Sequence, residues 1–364
     1  MSKAFDTVKR ETLYQDLREI LQPDELHMMT ILLKDVTLNV KVGREVGAEI
    51  KTNIGVPQGD CASPIAFTLY LAKALKPERT DIPLEHNYAQ TVKTAEELQP
   101  DHLKDHTYAT PTDTYMEIDE QYADDINWIT TAQHKRTEKE KIVPKQLKKR
   151  NLNVNETKTE KHTITRNGND EWKRCKLLGS LLDTEKDIKR RKGLTISTFN
   201  KLKNILQSSK IDLKTKLRVF NTYLRSIFLY NSELWTPTAK LEQEIDAFQR
   251  TLLRKLLGIR WPQRISNEDL NKKTQLEPWS QDTKRRRLSW FGHLLRLSED
   301  TPARKALAES MRTIKKPRGR PKLTWLKLIY QGLKLQPNHD IQHLSILAAD
   351  RQHWNGVKEG AMSK

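Results

Sequence analysis

The chain has 364 residues, a formal net charge of +18 at pH 7 and a sequence pI near 9.7. It has only two cysteines, Cys61 and Cys175, which excludes a disulfide framework and a cysteine-rich zinc site. The longest apolar run, near residues 64–72, is far shorter than the roughly 20 residues of a membrane span, and the charged start MSKAFDTVKRE does not resemble a signal peptide. We therefore expect a protein of the nucleus or cytoplasm that is neither secreted nor inserted in a membrane.

Charge is distributed unevenly along the chain. Residues 1–130 contain 13 basic and 23 acidic side chains, a net charge of −10. Residues 131–364 contain the other 52 basic and 24 acidic side chains, a net charge of +28. This polarity predicts an acidic front that holds cations and a basic rear that binds a polyanion, such as nucleic acid or an acidic membrane face.

The first 120 residues show helix and strand signals in turn. A first helix is indicated by apolar residues at helical spacing, namely Leu13, Leu17, Ile20 and Leu21. TLNVKVG, residues 37–43, alternates as a strand does. Ser63 as N-cap and Pro64 at the first helical position predict a helix that begins there. Residues 77–120 are acidic and broken by prolines, and we interpret them as an insertion or long loop.

The stretch YADDINWI, residues 122–129, places two adjacent carboxylates between apolar residues. The pattern predicts a hairpin with its tight turn at Asp124 and Asp125. Neighbouring negative charges repel each other, but bound cations reverse that effect. Mg²⁺ prefers carboxylate oxygens, and phosphoryl transfer from a nucleoside triphosphate uses two such ions. A solvated turn is the alternative, because so short a motif also arises by chance.

The rest of the chain is predicted to be mainly helical. A charged helix is expected over residues 133–150, with strands in TKTEKHTITR and CKLLGSLLD, and helices after Asp187. One later helix has an apolar stripe formed by Leu241, Ile245, Phe248, Leu252 and Leu256. Gly258 is the expected C-cap of that helix, and another helix is expected over residues 284–298.

Several short blocks occur in a characteristic order: KAFDTV at 3–8, GVPQGDCASP at 55–64, YADD at 122–125, LNVNETKTE at 152–160 and CKLLGSLLD at 175–183. This order resembles the palm of reverse transcriptases from non-LTR, LINE-like retrotransposons. The resemblance implies an α+β fold, in which a polymerase palm has an antiparallel sheet with helices on one face. It implies a palm at 1–185, an all-helical thumb at 186–262 and a basic helical C-terminal region at 263–364.

The resemblance also implies roles for individual residues. Asp124 and Asp125 match the metal-binding pair, with Asp124 the stronger ligand. Phe5 matches the aromatic residue under the incoming sugar, and a core position is the alternative. The remaining matches are Gln58 and Gly59 at the nascent base pair, Ser63 and Pro64 behind them, Lys158 near the triphosphate, and Leu178 and Gly179 at the primer end. A solvated side chain is the alternative for Lys158.

The activity implied is RNA-directed DNA synthesis: deoxynucleoside triphosphates are added to a DNA primer on an RNA template with Mg²⁺. The family has a third aspartate five residues before the aromatic that matches Phe5, and that position precedes Met1. The upstream fingers region is also absent. We therefore expect an N-terminally truncated chain that is a poor polymerase by itself. The alternatives are a non-catalytic nucleic-acid-binding remnant and an unfolded product of a decayed element.

The basic rear contains two candidate nucleic-acid contacts. In KKPRGRPKL, residues 315–323, the core resembles an AT-hook for the narrow minor groove, and a basic linker is the alternative. Its candidate residues are Lys315, Lys316, Arg318, Arg320 and Lys322. Arg285, Arg286 and Arg287 are candidates for the primer–template backbone, and a solvated charge run is the alternative. Trp290 is expected in the core, and His293, His102 and His106 are not expected to bind metal.

Overall fold

The computed structural model describes residues 3–57, 59–75, 117–130, 133–163, 171–311, 323–335 and 341–362. The chain divides into two units, Met1–Glu160 and Lys161–Lys364. Each unit has hydrophobic core residues of its own. Helices and short antiparallel strands are both present, so the fold is of the α+β class that the sequence predicts. Within the described residues, no helix is long and apolar enough to cross a membrane.

The described residues of the first unit form helices and two hairpins. Its helices are α1 (Arg10–Arg18), α2 (Pro23–Leu33), α3 (Ser63–Leu75) and α4 (Gln133–Lys149). Its strands are β1 (Val36–Val42), β2 (Glu45–Thr52), β3 (Glu117–Tyr122) and β4 (Asp125–Thr130). Strand β1 pairs with β2 and β3 pairs with β4, both antiparallel. The last residues of the predicted insertion, 117–120, therefore belong to a strand.

The core of the first unit forms where α1, α3 and α4 turn their apolar sides inward. Leu13 of α1, Phe67 of α3 and Leu147 of α4 are each at most 1% exposed. Burying a side chain of this size stabilises the fold by about 1.5–3 kcal/mol. Ile20 shares the predicted stripe but is 60% exposed, because α1 ends before it, at Arg18.

Two local predictions in this unit are wrong. Ser63 is the first residue of α3 and not its N-cap; its hydroxyl and the Ala62 N–H both donate to the Asp60 carboxylate. The first part of TKTEKHTITR is not a strand, because Glu156–Lys158 form a 3-10 turn and the described residues after it are irregular. The Asn155 carboxamide accepts the Lys158 N–H at 3.2 Å, and such local hydrogen bonds compete with strand pairing.

The described residues of the second unit are mainly helical and include one small hairpin, β5 (Lys176–Leu177) with β6 (Ser180–Leu181). Its helices are α5 (Thr184–Lys201), α6 (Lys203–Leu206), α7 (Leu213–Val219), α8 (Ser226–Phe228), α9 (Ala239–Leu256), α10 (Asn267–Thr274), α11 (Trp279–Arg296), α12 (Pro302–Met311), α13 (Trp325–Leu333), α14 (Ile341–Ala349) and α15 (Arg351–Met362). Residues Phe220–Arg225 form a π-helical segment. Strand pairing in CKLLGSLLD and the helices beyond it are as predicted.

Two clusters stabilise the second unit. In the first, Phe228 stacks on Trp279 with ring centroids 4.6 Å apart. In the second, the indole N–H of Trp354 donates to the Leu288 carbonyl at 3.0 Å. A Cβ at Gly292 would lie only 2.1 Å from that indole nitrogen, so α15 can approach α11 only where α11 has a glycine.

Helix α9 matches its prediction better than α11 does. The predicted stripe is buried at Ile245, and Gly258 follows the helix with a φ of 71°. Helix α11 starts at Trp279, earlier than predicted, because the Gln249 carboxamide of α9 accepts the Trp279 N–H at 2.9 Å. The prediction that Trp290 is a core residue is wrong, because its side chain is 36% exposed.

Candidate active site

The two acids of YADDINWI lie at the tip of a hairpin. Tyr122 of β3 pairs directly with Asp125 of β4, so Ala123 and Asp124 form a two-residue turn. Ala123 has a φ of 51°, a region that residues with a Cβ rarely adopt. The predicted hairpin is confirmed, but its turn is one residue earlier than predicted, and Asp125 is the first residue of β4.

Strand β4 fixes this tip to the first unit. Ile126 and Trp128 are partly buried against the core. Successive side chains along a strand point to opposite faces, so Asp125 points away from that core. Asp125 is exposed and Asp124 is half-buried. The hairpin therefore presents two adjacent carboxylates at the surface of the unit.

Phe5 opens a short 3-10 turn, Phe5–Thr7. Its ring stacks on the buried ring of Phe67, with centroids 4.4 Å apart and 25° between the ring planes. Phe5 is itself only half-buried. Its position is thus fixed by the core, while part of the side chain remains at the surface.

The loop that begins GVPQGD packs on the Phe5 segment. The Val56 N–H donates to the Phe5 carbonyl at 2.9 Å, and the Gly55 N–H donates to the Val8 carbonyl at 2.8 Å. Gly55 has a φ of 82°, and a Cβ there would lie 2.9 Å from the Cα of Asp6. The fold therefore brings the first two motif blocks into direct contact, and only glycine fits at the point of contact.

Arg10 holds the same loop from inside and was not identified from the sequence. It is 7% exposed. Its guanidinium donates, over 2.6–3.2 Å, to the carbonyls of Gly55, Leu33, Thr52 and Ile54. A buried charge is tolerated only when it is hydrogen-bonded in this way. Nothing in the sequence distinguishes Arg10 from the exposed Lys9 beside it.

The other predicted residues of this unit have different surroundings. Gln58 lies outside the described residues, and Gly59 next to it has a φ of 94°. Asn151, just before LNVNETKTE, donates its side-chain N–H to the Thr7 carbonyl at 2.9 Å, which ties this block to the Phe5 turn. Lys158 is exposed at the end of its own 3-10 turn.

The chemistry of the paired acids suits a hard divalent cation. Mg²⁺ in nucleotide sites is held by one or two carboxylates together with water and substrate phosphates. Asp124 and Asp125 supply such a pair. In the part of the chain that the structure describes, no group of three or more His, Cys, Asp or Glu side chains is arranged to hold a metal ion.

Comparison with known families identifies the first half of the chain. A family model described as reverse transcriptase (RNA-dependent DNA polymerase) matches residues 1–189, just over half of the 364 residues. The chain belongs to the reverse transcriptase family. The match includes the Asp124 hairpin and every block from KAFDTV to CKLLGSLLD. Reverse transcriptases in general act on nucleic acid and nucleotides and use a divalent metal ion.

One relative is described as derived from a mobile element. A transposon-derived protein of Caenorhabditis elegans is 25% identical over 177 residues, which are 47% of this chain and 63% of that protein. The chain thus covers less than two thirds of its relative. A model of a domain of unknown function matches residues 198–230, in the helices that follow the reverse transcriptase match. The resemblance to a retrotransposon reverse transcriptase is confirmed at the level of the family.

The reverse transcriptase match also covers the β5–β6 turn and ends within α5, in the second unit. Leu178 and Gly179 have φ values of 44° and 80°. Arg190 and Arg191 both donate to the Gly179 carbonyl, at 2.9 and 2.6 Å. The Tyr230 hydroxyl donates to the Leu178 carbonyl at 2.9 Å. The turn predicted to hold the primer end is therefore fixed to α5.

Asp187 completes this network and was missed in the sequence. Its fully buried carboxylate accepts the Leu181 N–H at 3.1 Å and the Trp235 indole N–H at 3.0 Å. Arg191 lies 3.7 Å from the same carboxylate, and burial lowers the pKa of Arg191. In the surrounding EKDIKRR, one aspartate among charged residues looks like any solvated helix residue.

The three arginines of α11 differ in their surroundings. Arg285 pairs with Glu277, which lowers the pKa of that glutamate, and Arg286 lies 3.6 Å from Asp282. Both arginines remain partly exposed, at 29% and 36%. Arg287 is 2% exposed, and burial lowers its pKa to about 10. Of the three, only Arg285 and Arg286 are presented to a ligand in solution.

Other candidates fall outside the described residues. These are the AT-hook-like residues Lys315, Lys316, Arg318, Arg320 and Lys322, together with His102 and His106. His293 is described; it packs beside Trp290, with ring centroids 5.1 Å apart.

Proposed function

We propose that the chain carries the palm active site of an RNA-directed DNA polymerase from a non-LTR retrotransposon. The observation that carries this proposal is the hairpin that presents Asp124 and Asp125 side by side within the reverse transcriptase match. In this proposal residues 1–185 are the palm, residues 186–262 the thumb, and residues 263–364 a basic helical region that binds nucleic acid.

Asp124 and Asp125 would hold Mg²⁺, with Asp124 the stronger ligand. The ion, when bound, lowers the pKa of the primer 3′-hydroxyl and neutralises charge on the triphosphate. Phe5, braced by Phe67, excludes a 2′-hydroxyl on the incoming nucleotide. Gln58 and Gly59 align the nascent base pair. Lys158 neutralises the triphosphate and can give a proton to the leaving pyrophosphate.

We also propose that these 364 residues extend primers weakly. The family's third aspartate would come five residues before Phe5, at a position that the 364 residues do not include. A missing ligand allows the attacking hydroxyl to shift, and a displacement of about 1 Å can cost on the order of a hundredfold in rate.

Primer extension on matched RNA and DNA templates with Mg²⁺ or Mn²⁺ tests both statements. We expect weak synthesis that Asp124→Asn abolishes. An aspartate added directly before Met1 should increase synthesis, whereas an asparagine added there should not. Synthesis that survives Asp124→Asn contradicts the assigned site. Robust, Asp124-dependent synthesis by the 364 residues supports the site and contradicts only the weak activity.

A second candidate is a nucleic-acid-binding protein without catalysis. It is favoured by the net charge of +28 over residues 131–364 and by the lack of a third metal-binding side chain among the described residues. Salt-dependent binding of nucleic acid without any extension, even in the chain extended by aspartate, would support this candidate over the polymerase.

A further inference from the structure

A cavity of about 470 Å³ lies in the second unit, where α5 and α6 meet the end of α9. Its walls include Asn200, Lys203 and Gln207 on one side, and Lys255, Arg260 and Trp261 on the other. Its volume is within the roughly 300–1,000 Å³ range of cavities that bind small ligands. None of the residues proposed for nucleotidyl transfer lines it.

Trp261 is unusually exposed for its type. All eight tryptophans lie in the described residues, and Trp261 is 83% exposed, whereas the next most exposed, Trp290, is 36% exposed. A large aromatic ring in water forgoes the hydrophobic free energy that most tryptophans gain by burial. Such a ring at the mouth of a cavity is typical of a residue that gains its contact from a ligand.

The wall around Trp261 is positively charged. Lys203, Lys255 and Arg260 line the cavity, and no carboxylate does. None of these three cations forms an ion pair with an acid in the described part of the chain. Three uncompensated cations around one concave surface attract an anion.

The backbone beside Trp261 is held in place. The Gln207 side-chain N–H donates to the Lys255 carbonyl at 2.9 Å and joins the two walls. The Ile259 N–H donates to the Arg254 carbonyl at 3.0 Å. The Gln263 N–H donates to the Arg260 carbonyl at 2.8 Å and closes a turn around Trp261. A ring on a fixed backbone loses little entropy on binding.

We infer that this cavity binds an unpaired segment of nucleic acid: one base stacks on Trp261 while its flanking phosphates pair with Lys203, Lys255 and Arg260. Base–aromatic stacking beside cations is the usual chemistry of single-strand binding. A duplex offers its phosphates, but its neighbouring base pairs cover the base faces. An acidic peptide can pair with the cations but lacks a base to stack. The inference rests on the proposed function for the source of such strands, but not on catalysis.

The test uses the full chain and four probes: oligo-dT and oligo-rU of about twelve nucleotides, an abasic strand of equal charge, and a duplex. Binding is followed by tryptophan fluorescence and by anisotropy. Trp261→Leu should weaken binding of both oligonucleotides about 5- to 100-fold, remove most of the quenching and leave the abasic strand unaffected. Comparison of the DNA and RNA oligonucleotides shows whether the sugar affects affinity. Because Trp261 is 83% exposed, this variant should unfold at the wild-type temperature.

Two double-lysine variants test the contribution of charge, and the second is the matched control for the first. Lys203→Ala with Lys255→Ala should reduce the slope of log affinity against log salt by about 1.4, at about 0.7 per contact for single strands. Lys272→Ala with Lys273→Ala removes the same charge from exposed positions on α10 that do not line the cavity, and should change the slope less.

Three results would overturn the inference: equal oligonucleotide binding by wild type and Trp261→Leu, equal affinity for the abasic strand and oligo-dT, or quenching by the duplex that depends on Trp261 as strongly as quenching by oligo-dT does. Binding of the oligonucleotides is measured without divalent ions or nucleotides, so it does not require the proposed metal site at Asp124. Failure of this cavity is therefore distinguishable from failure of the polymerase site, which is read by primer extension.

Discussion

Gly55 shows how one residue can control the geometry of the candidate site. It combines a φ of 82° with the backbone of Asp6 at 2.9 Å from the position of a Cβ. Gly59, four residues later, has a similar φ of 94° but no atom within 4 Å of that position. Substitution of Gly59 therefore measures the free-energy cost of a left-handed backbone alone. Substitution of Gly55 adds the cost of a steric clash.

Gly55→Ala should destabilise the protein by about 2–4 kcal/mol, because backbone strain and a backbone clash act together. Gly59→Ala should cost only about 1–2 kcal/mol, from strain alone. Urea denaturation at pH 7 measures both values. Equal costs would mean that the Gly55 loop is not packed on the Phe5 segment as the structure has it.

Arg287 carries a buried charge that its surroundings balance only in part, because the attraction of Glu242 does not offset the effect of burial. Its Nε and one terminal nitrogen have no hydrogen-bond partner among the residues that the structure describes, and burial lowers its pKa to about 10. A folded-state pKa below the unfolded value means that the charged form costs stability at neutral pH, and that the cost decreases as the pH rises through about 10.

Arg287→Met combined with Glu242→Gln should therefore leave stability at pH 7 unchanged or raise it, by up to about 1–4 kcal/mol, since the two changes remove both charges and keep the volume. Arg285→Met is the control; it breaks the partly exposed pair with Glu277 and should cost up to about 1 kcal/mol. Thermal unfolding of both variants measures these changes in stability. A larger loss for the double variant Arg287→Met, Glu242→Gln than for Arg285→Met would contradict this account.

At the scale of elements, the β5–β6 hairpin depends on helix α5. Its strands have two residues each, too few for independent stability. The buried carboxylate of Asp187 binds the Leu181 backbone and the Trp235 indole, and it lies beside Arg191. One side chain thus joins the turn, the helix and the aromatic core.

Asp187→Asn should destabilise the protein by about 3–5 kcal/mol, because it leaves the charge of Arg191 uncompensated in a buried place. Asp183→Asn is the matched control, because Asp183 caps α5 through the Lys186 N–H and asparagine caps equally well. Denaturant unfolding should show almost no change for the control. Similar losses in both variants would remove the special role given to Asp187.

The elements that could be predicted are those whose signal is local. The apolar stripe of α9, its glycine C-cap and the Asp124 hairpin each depend on residues close together in the chain. Helix α11 begins where it does because Gln249 of α9 caps it from thirty residues away, and no local pattern shows that. The described part of TKTEKHTITR, up to residue 163, is not a strand, because the Asn155 side chain accepts the Lys158 N–H and the chain turns there.

The candidate site follows the same rule. The motif blocks identified Phe5, Gly59 and Asp124 by their order, and the structure packs the Phe5 segment against the Gly55 loop. Arg10 and Asp187 could not be found, because their roles come from carbonyls and rings that lie far away in sequence. The exposure of Trp261 is likewise a property of the fold.

At the scale of the whole molecule, acidic and basic residues are concentrated in different parts of the chain. The paired acids lie in the acidic residues 1–130, and the net charge of +28 lies in residues 131–364. Nucleic-acid affinity should therefore fall about a thousandfold or more between 50 and 200 mM salt, as for six or more phosphate contacts. Filter binding of a primer–template measures it. Affinity that is insensitive to salt would contradict a basic binding surface.

The central claim is that Asp124 and Asp125 hold the divalent ion for strand copying. Mn²⁺ binding to the full chain, followed by electron paramagnetic resonance with a deoxynucleoside triphosphate present, tests it without requiring catalysis. We predict that Asp124→Asn weakens Mn²⁺ binding by about tenfold or more, since the number of charged ligands sets affinity, and that Asp300→Asn, at an exposed position elsewhere, has no effect. Unchanged Mn²⁺ binding in a chain that carries both Asp124→Asn and Asp125→Asn would contradict the account.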